Sequence, residues 1–200
     1  VGIIVAFALL QFFNVPVRTL FLIAAIPSIV SVLLVFLFIS EPKHTKEEVF
    51  ERKKVSFASL KSNPVLRRVF AIFIIFGLAN MSYSFLLLAA HRIGWSVATL
   101  PLLYLLFSFV AAVSAQPFGR FADRFGSKNT ILIGFFLLAA AFLIGGAASS
   151  VFFIPFAFIC YGLHKGAIEP SQRSFMASLA GPGERATVFG TLQFTLGITA

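Results

Sequence analysis

The sequence predicts an all-α membrane protein, an incomplete helical bundle of about seven transmembrane segments. Of its 200 residues, 59% are hydrophobic and only 12% are charged, whereas a soluble domain carries about 25% charged residues. The apolar residues also come in blocks. Several blocks reach the roughly 20 residues that a helix needs to cross a hydrocarbon core about 30 Å thick. A polytopic membrane protein is therefore the expectation before any motif is considered.

Seven apolar segments divide the chain, and the first and last of them run to its two ends. We therefore expect the chain to be a fragment of a longer protein. The predicted segments are Val1–Phe13, Thr19–Ser40, Val65–Ala90, Val97–Phe118, Asn129–Ser149, Val151–Ser178 and a last one that starts near Ala186.

Basic residues are distributed unequally between the two sides of these segments. Thirteen lysines and arginines flank one side, whereas only Arg18 and Arg92 lie on the other. The positive-inside rule makes the richer side cytosolic, which predicts cytosolic loops at 41–64, 120–128 and 180–185. The net charge of +9 does not follow one polar face, so the expected partner is the lipid bilayer and not nucleic acid.

The strongest local signal lies between the fourth and fifth segments, in the run Gly119-Arg120-Phe121-Ala122-Asp123-Arg124-Phe125-Gly126-Ser127-Lys128. Its glycines permit a tight turn, its acid can face a helix N-terminus, and its basic residues can hold the inner leaflet. The run resembles the cytosolic loop motif of the major facilitator superfamily, Gly-x-x-x-Asp-Arg-x-Gly followed by basic residues. It departs at Ser127, where the family often has a basic residue. The resemblance implies a gating motif formed by Gly119, Arg120, Asp123, Arg124, Gly126 and Lys128.

The resemblance covers the whole chain and implies its domain organisation. Arg18-Thr19-Leu20-Phe21 and the later Ser40-Glu41-Pro42 are similar to the start and end of the family's sixth helix. Residues 1–40 would then hold the last two helices of the N-terminal half-bundle. Residues 41–64 would form the cytosolic loop between the halves, as an amphipathic helix on the membrane or as a solvated linker. Residues 65–200 would form the C-terminal half-bundle without its last helix or helices.

Ionisable residues inside the sixth segment are the main functional candidates. Lys165, Glu169 and Arg173 are four residues apart and share one helix face. Counted from the start of the segment, Lys165 lies roughly 21 Å into the span, where a charge costs about 2.5–3.5 kcal/mol to insert. These three residues and His164 are therefore candidates for substrate or proton coupling. A salt-bridge latch of the inner gate and an ion pair that only fixes helix packing remain alternatives.

Polar residues on other segments are weaker candidates. Taken singly, each fits an interhelical hydrogen bond worth about 0.6 kcal/mol. In the family, the seventh, eighth, tenth and eleventh helices contribute to the central cavity. The resemblance thus implies as cavity-lining candidates Asn80, Tyr83, Ser84, Tyr104, Ser108 and Gln193. Separately, Gly162 and Gly166 are four residues apart, which predicts close packing of the sixth segment on a neighbouring helix.

Together these observations predict secondary active transport of a small solute by alternating access, with protons as a candidate coupling ion. A facilitative uniporter of the same fold and a seven-helix receptor are the alternatives. An enzyme is not expected. His44, His91 and His164 are predicted to be cytosolic, outer and intramembrane, so they form no common metal site, and no nucleophile motif is present. We expect no cofactor, a monomer when full length, and a bacterial or archaeal cytoplasmic membrane.

Overall fold

Every regular element that the structure describes is an α-helix. The structure is a computed structural model, and the residues it describes are 2–11, 16–38, 64–79, 81–180 and 185–199. It divides into two compact units, Val1–Val55 and Ser56–Ala200. Of the predicted loop 41–64, only Pro64 is among the described residues, so the predicted domain boundaries remain predictions.

Eight helices are described, two in the first unit and six in the second. In the first unit they are α1 (Gly2–Gln11) and α2 (Val17–Phe38). In the second unit they are α3 (Pro64–Ala79), α4 (Tyr83–Ile93), α5 (Leu100–Phe125), α6 (Ser127–Ala147), α7 (Ile154–Leu179) and α8 (Arg185–Thr199).

Three stretches of the described residues are long and apolar enough to cross a membrane, namely Pro64–Ile93, Leu100–Phe125 and Ser127–Ala147. Helix α7 has 26 residues and matches the predicted sixth segment. It is less apolar than these three stretches because polar and charged residues interrupt its middle. It is nevertheless the helix around which the second unit is built.

Helix α7 packs along both α5 and α6 and carries much of the buried core. Phe158 and Met176 are fully buried on it. Two of its glycines face α5, where a Cβ on Gly162 would lie 2.8 Å from the Phe107 carbonyl oxygen and one on Gly166 would lie 2.9 Å from that of Ala111. The two helices therefore approach at backbone distance, as the four-residue spacing of the glycines predicts.

The predicted third segment, Val65–Ala90, falls within the membrane-length stretch Pro64–Ile93, and the structure describes two helices in it. Helix α3 ends at Ala79 and α4 begins at Tyr83. The hydroxyl oxygen of the N-cap residue Ser82 accepts a hydrogen bond from the Ser84 N–H at 3.3 Å, which favours a new helix start there. The Tyr161 hydroxyl donates to the Met81 carbonyl at 3.4 Å, so α7 satisfies a backbone group that the break releases.

The predicted loop 120–128 is almost entirely helical, which corrects the expectation of a loop there. Helix α5 runs to Phe125 and α6 begins at Ser127, so Gly126 alone separates them. Its φ of 90° and ψ of 140° are accessible to glycine and strained for other residues. Hydropathy places the end of the span at the first charged residue. Arginine is a good helix former, however, so α5 continues past the apolar block.

Candidate functional site

A cavity of about 310 Å³ lies between α5 and α7. Its walls are Tyr104, Phe107, Ser108, Ala111, Ala112 and Ala115 of α5 and Lys165, Gly166, Glu169 and Pro170 of α7. The structure thus brings four candidates, Tyr104, Ser108, Lys165 and Glu169, to one site. Lys165 is the twelfth of the 26 residues of α7 and therefore lies near the middle of this helix.

The two charged side chains that line this cavity do not pair with each other. The Lys165 ammonium lies 6.0 Å from the centroid of the Tyr161 ring, at the outer limit of a cation–π contact. Lys165 is half-buried and Glu169 is exposed. Neither forms an ion pair within the described residues. The structure therefore does not show Lys165 and Glu169 as an ion pair that only fixes helix packing.

The remaining charged candidates of α7 lie elsewhere. His164 is 1% exposed, and its Nδ1–H donates to the Gly134 carbonyl of α6 at 2.8 Å. That contact lies on the face of α7 that meets α6, because adjacent helical residues point about 100° apart. Arg173 is exposed one turn beyond Glu169 and does not line the cavity. Only two of the four coupling candidates are therefore brought together.

The other cavity-lining candidates are dispersed. The Tyr83 ring packs on Tyr104 and Phe107, with centroids 5.2 and 5.7 Å away, so it supports the cavity wall from α4. Ser84 belongs to the N-terminal cap of α4. Gln193 is exposed on α8 and lines no cavity described for the second unit. Asn80 lies outside the described residues.

The motif residues occupy the end of the helix that forms one cavity wall. Arg120, Asp123 and Arg124 are exposed in the last two turns of α5, and Lys128 is exposed in the first turn of α6. The Asp123 carboxylate makes no hydrogen bond or ion pair with any other described residue, so the predicted contact with a helix N-terminus is absent there. Asp123 lies eight positions after Ala115 of the cavity, about 12 Å along α5.

The two glycines of the motif differ in environment. A Cβ on Gly119 would meet no atom within 4 Å, so in the described unit this residue does not mediate the close helix approach that the motif suggested. Gly126 instead supplies the turn between α5 and α6, and its N–H donates to the Ala122 carbonyl at 2.9 Å.

Sequence reasoning missed Tyr161, which is 2% exposed and contacts Lys165 and Phe107, one residue from each wall of the cavity. Its ring lies beneath Lys165 and contacts Phe107 across the helix interface, with centroids 5.4 Å apart. The available signal was its position one helical turn before Lys165 in an apolar segment, since residues four apart share a face.

Comparison with known proteins gives one match. A family model described as Major Facilitator Superfamily matches residues 1–200. No curated protein and no solved structure matches the chain.

Proposed function

The chain belongs to the major facilitator superfamily, and on this premise we propose that it moves a small solute across the membrane by alternating access. Membership makes it a multi-pass membrane transporter. The observation that supports the mechanism is the α5–α7 cavity, which holds Lys165 and Glu169 near the middle of a predicted spanning helix. Ionisable groups at that depth mark substrate and ion pathways, and secondary transporters bind near the bilayer midplane.

We propose that Glu169 carries a coupling proton and that Lys165 contacts the solute. A carboxylate titrates between a charged and a neutral form, and the two forms differ strongly in their cost of burial. Glu169 is exposed at the cavity and has no ion-pair partner among the described residues. Its carboxylate is therefore accessible to protons and solute.

The proposal is tested by solute counterflow and by net solute uptake in proteoliposomes made with the purified full-length protein and a trapped pH dye. The panel contains sugars, organic anions, amino acids and drug-like cations. Solute-dependent proton movement supports proton-coupled transport. Net solute uptake without proton movement overturns the coupling and leaves a uniporter, or a transporter coupled to another ion. Absence of counterflow across a broad panel, with correctly inserted protein, contradicts transport by this cavity.

The motif at the end of α5 is proposed to stabilise one gating state. Replacing Asp123 with asparagine should lower the counterflow rate about fivefold or more, because linked equilibria typically shift by about 1–3 kcal/mol. Membrane insertion should be unchanged because the side chain is exposed. Asp123→Glu, which retains the charge, is the matched control. Wild-type rates in Asp123→Asn would contradict the gating role.

The charge distribution supports an orientation in which the α5–α6 turn faces the cytosol. We expect a membrane-impermeant maleimide added to intact cells to label Ser96→Cys and not Ser127→Cys, each in a Cys160→Ser background. The two sites lie at opposite ends of α5, and Ser96 is exposed. Labelling of Ser127→Cys from outside would reverse the assignment, and permeabilised cells provide the control for reactivity.

A further inference from the structure

We infer that the α5–α7 cavity recognises a small zwitterion, with Lys165 binding its carboxylate and Glu169 its ammonium group. This inference rests on the proposed transport function and names the substrate class of the same site. The observation behind it is that one cavity of about 310 Å³ presents two opposite charges that do not neutralise each other.

The order of the two residues along α7 explains why they stay apart. An acid that precedes a lysine by four residues forms the better helical ion pair, and the reverse order is weaker. Here Lys165 precedes Glu169. The lysine ammonium lies instead above the Tyr161 ring, and within the described residues the Glu169 carboxylate forms no ion pair. Both charges therefore remain available to a ligand.

Their spacing suits a ligand with two nearby charges. Residues four apart on a helix have Cβ atoms about 5–6 Å apart, and charge-assisted hydrogen bonds are about 2.7–2.9 Å long. A carboxylate and an ammonium group separated by one carbon can bridge such a pair. A simple anion bound here would face the like charge of Glu169, and a simple cation would face the like charge of Lys165. Both kinds of ligand should therefore bind more weakly than a zwitterion.

The opposite wall defines the remainder of the ligand. Phe107 and three alanines of α5 provide an apolar surface, while Tyr104 and Ser108 add two hydroxyl groups. A volume of about 310 Å³ lies at the lower end of the roughly 300–1,000 Å³ of small-molecule sites. The cavity therefore fits an ammonium carboxylate with a compact apolar body, such as a small aliphatic amino acid.

The test compares three ligands of one shape with the full-length protein, namely leucine, leucinamide and 4-methylpentanoate. They carry both charges, only the positive charge and only the negative charge, respectively. Binding of each ligand to the wild type, Lys165→Gln and Glu169→Gln is measured directly by isothermal titration calorimetry. We expect the wild type to bind leucine about tenfold or more tightly than either analogue, since a hydrogen bond to a charged group contributes about 1.5–3 kcal/mol.

Each variant should remove one half of this preference. Lys165→Gln should bind leucinamide as tightly as leucine, and Glu169→Gln should bind 4-methylpentanoate as tightly as leucine. A merely structural role would instead weaken all three ligands equally, and that result would overturn the inference. Equal binding of the three ligands by the wild type would also overturn it. Counterflow of a neutral sugar without amino-acid binding would overturn only the inference that the substrate is a zwitterion. Absence of any counterflow would instead contradict the proposed transport function.

Discussion

Replacing Glu169 with glutamine should reduce solute-driven proton movement to the level of empty liposomes. Glutamine has nearly the same shape and can accept a hydrogen bond, but its amide does not titrate near neutral pH. Solute exchange should persist with lower affinity, because the α5 wall and Lys165 are unchanged. The measurement is the ratio of protons to solute moved, obtained from a trapped pH dye and a radiolabelled solute in the same vesicles.

Asp123→Asn supplies the matched control for this ratio. It removes a carboxylate from the same unit, outside the cavity, so it should slow both fluxes together and leave their ratio at the wild-type value. A wild-type ratio in Glu169→Gln would exclude Glu169 as the coupling site. An altered ratio in Asp123→Asn would show that coupling is not confined to the cavity.

The proposed proton and the proposed zwitterion have a joint consequence. One carboxylate cannot hold a proton and accept a ligand ammonium as an ion at the same time, so solute binding at Glu169 displaces the proton. The two proposals together predict exchange of solute against protons. Under a solute gradient directed into the vesicle, the interior should become more alkaline. Acidification of the interior would indicate cotransport and would separate the proton site from the ammonium site.

The sequence predicted the helical class and a close helix contact at Gly162 and Gly166, because both depend on short-range patterns. Long apolar blocks indicate membrane-spanning helices, and the spacing of Gly162 and Gly166 indicates a close helix contact. The break before Tyr83 was not predictable from hydropathy. An average over 20 residues is dominated by the apolar flanks, whereas the break depends on the local Ser82 cap and on Tyr161 from a helix distant in sequence.

The candidate site was predictable only in part, because the sequence indicates which residues share a helix face but not which helix that face contacts. Periodicity placed Lys165 and Glu169 on one face of a helix, and the structure puts that face against α5. His164 is adjacent in sequence, but a rotation of about 100° per residue directs it to the Gly134 carbonyl of α6. Which face meets which neighbour depends on the order of helices in the bundle, and one sequence pattern does not contain that information.

Replacing Gly166 with alanine should destabilise the protein by up to about 2 kcal/mol, although alanine is the better helix former. A Cβ there would lie 2.9 Å from the Ala111 carbonyl oxygen and 3.1 Å from the Ser114 Cβ. Overpacking costs about 1–3 kcal/mol, which exceeds the gain of about 1 kcal/mol from helix propensity. The free energy of unfolding in mixed detergent micelles measures the difference.

Gly146→Ala is the matched control, because a Cβ at Gly146 of α6 would meet no atom within 4 Å. It retains the propensity gain without the clash, so its free energy of unfolding should rise or stay constant. Opposite signs for the two substitutions would confirm that α5 and α7 are held at backbone distance. Shifts of equal sign and size would show that this interface is looser than described.

The same contact links stability to the solute site. Gly166 lines the cavity, whereas Gly162 lies one turn away and contacts α5 outside it. Both alanine substitutions push α5 outward, but only Gly166→Ala changes the wall between Lys165 and Glu169. We therefore expect both variants to lose stability and Gly166→Ala to lose more solute affinity. Equal losses of affinity would mean that the position of α5 as a whole, and not the local wall, determines binding.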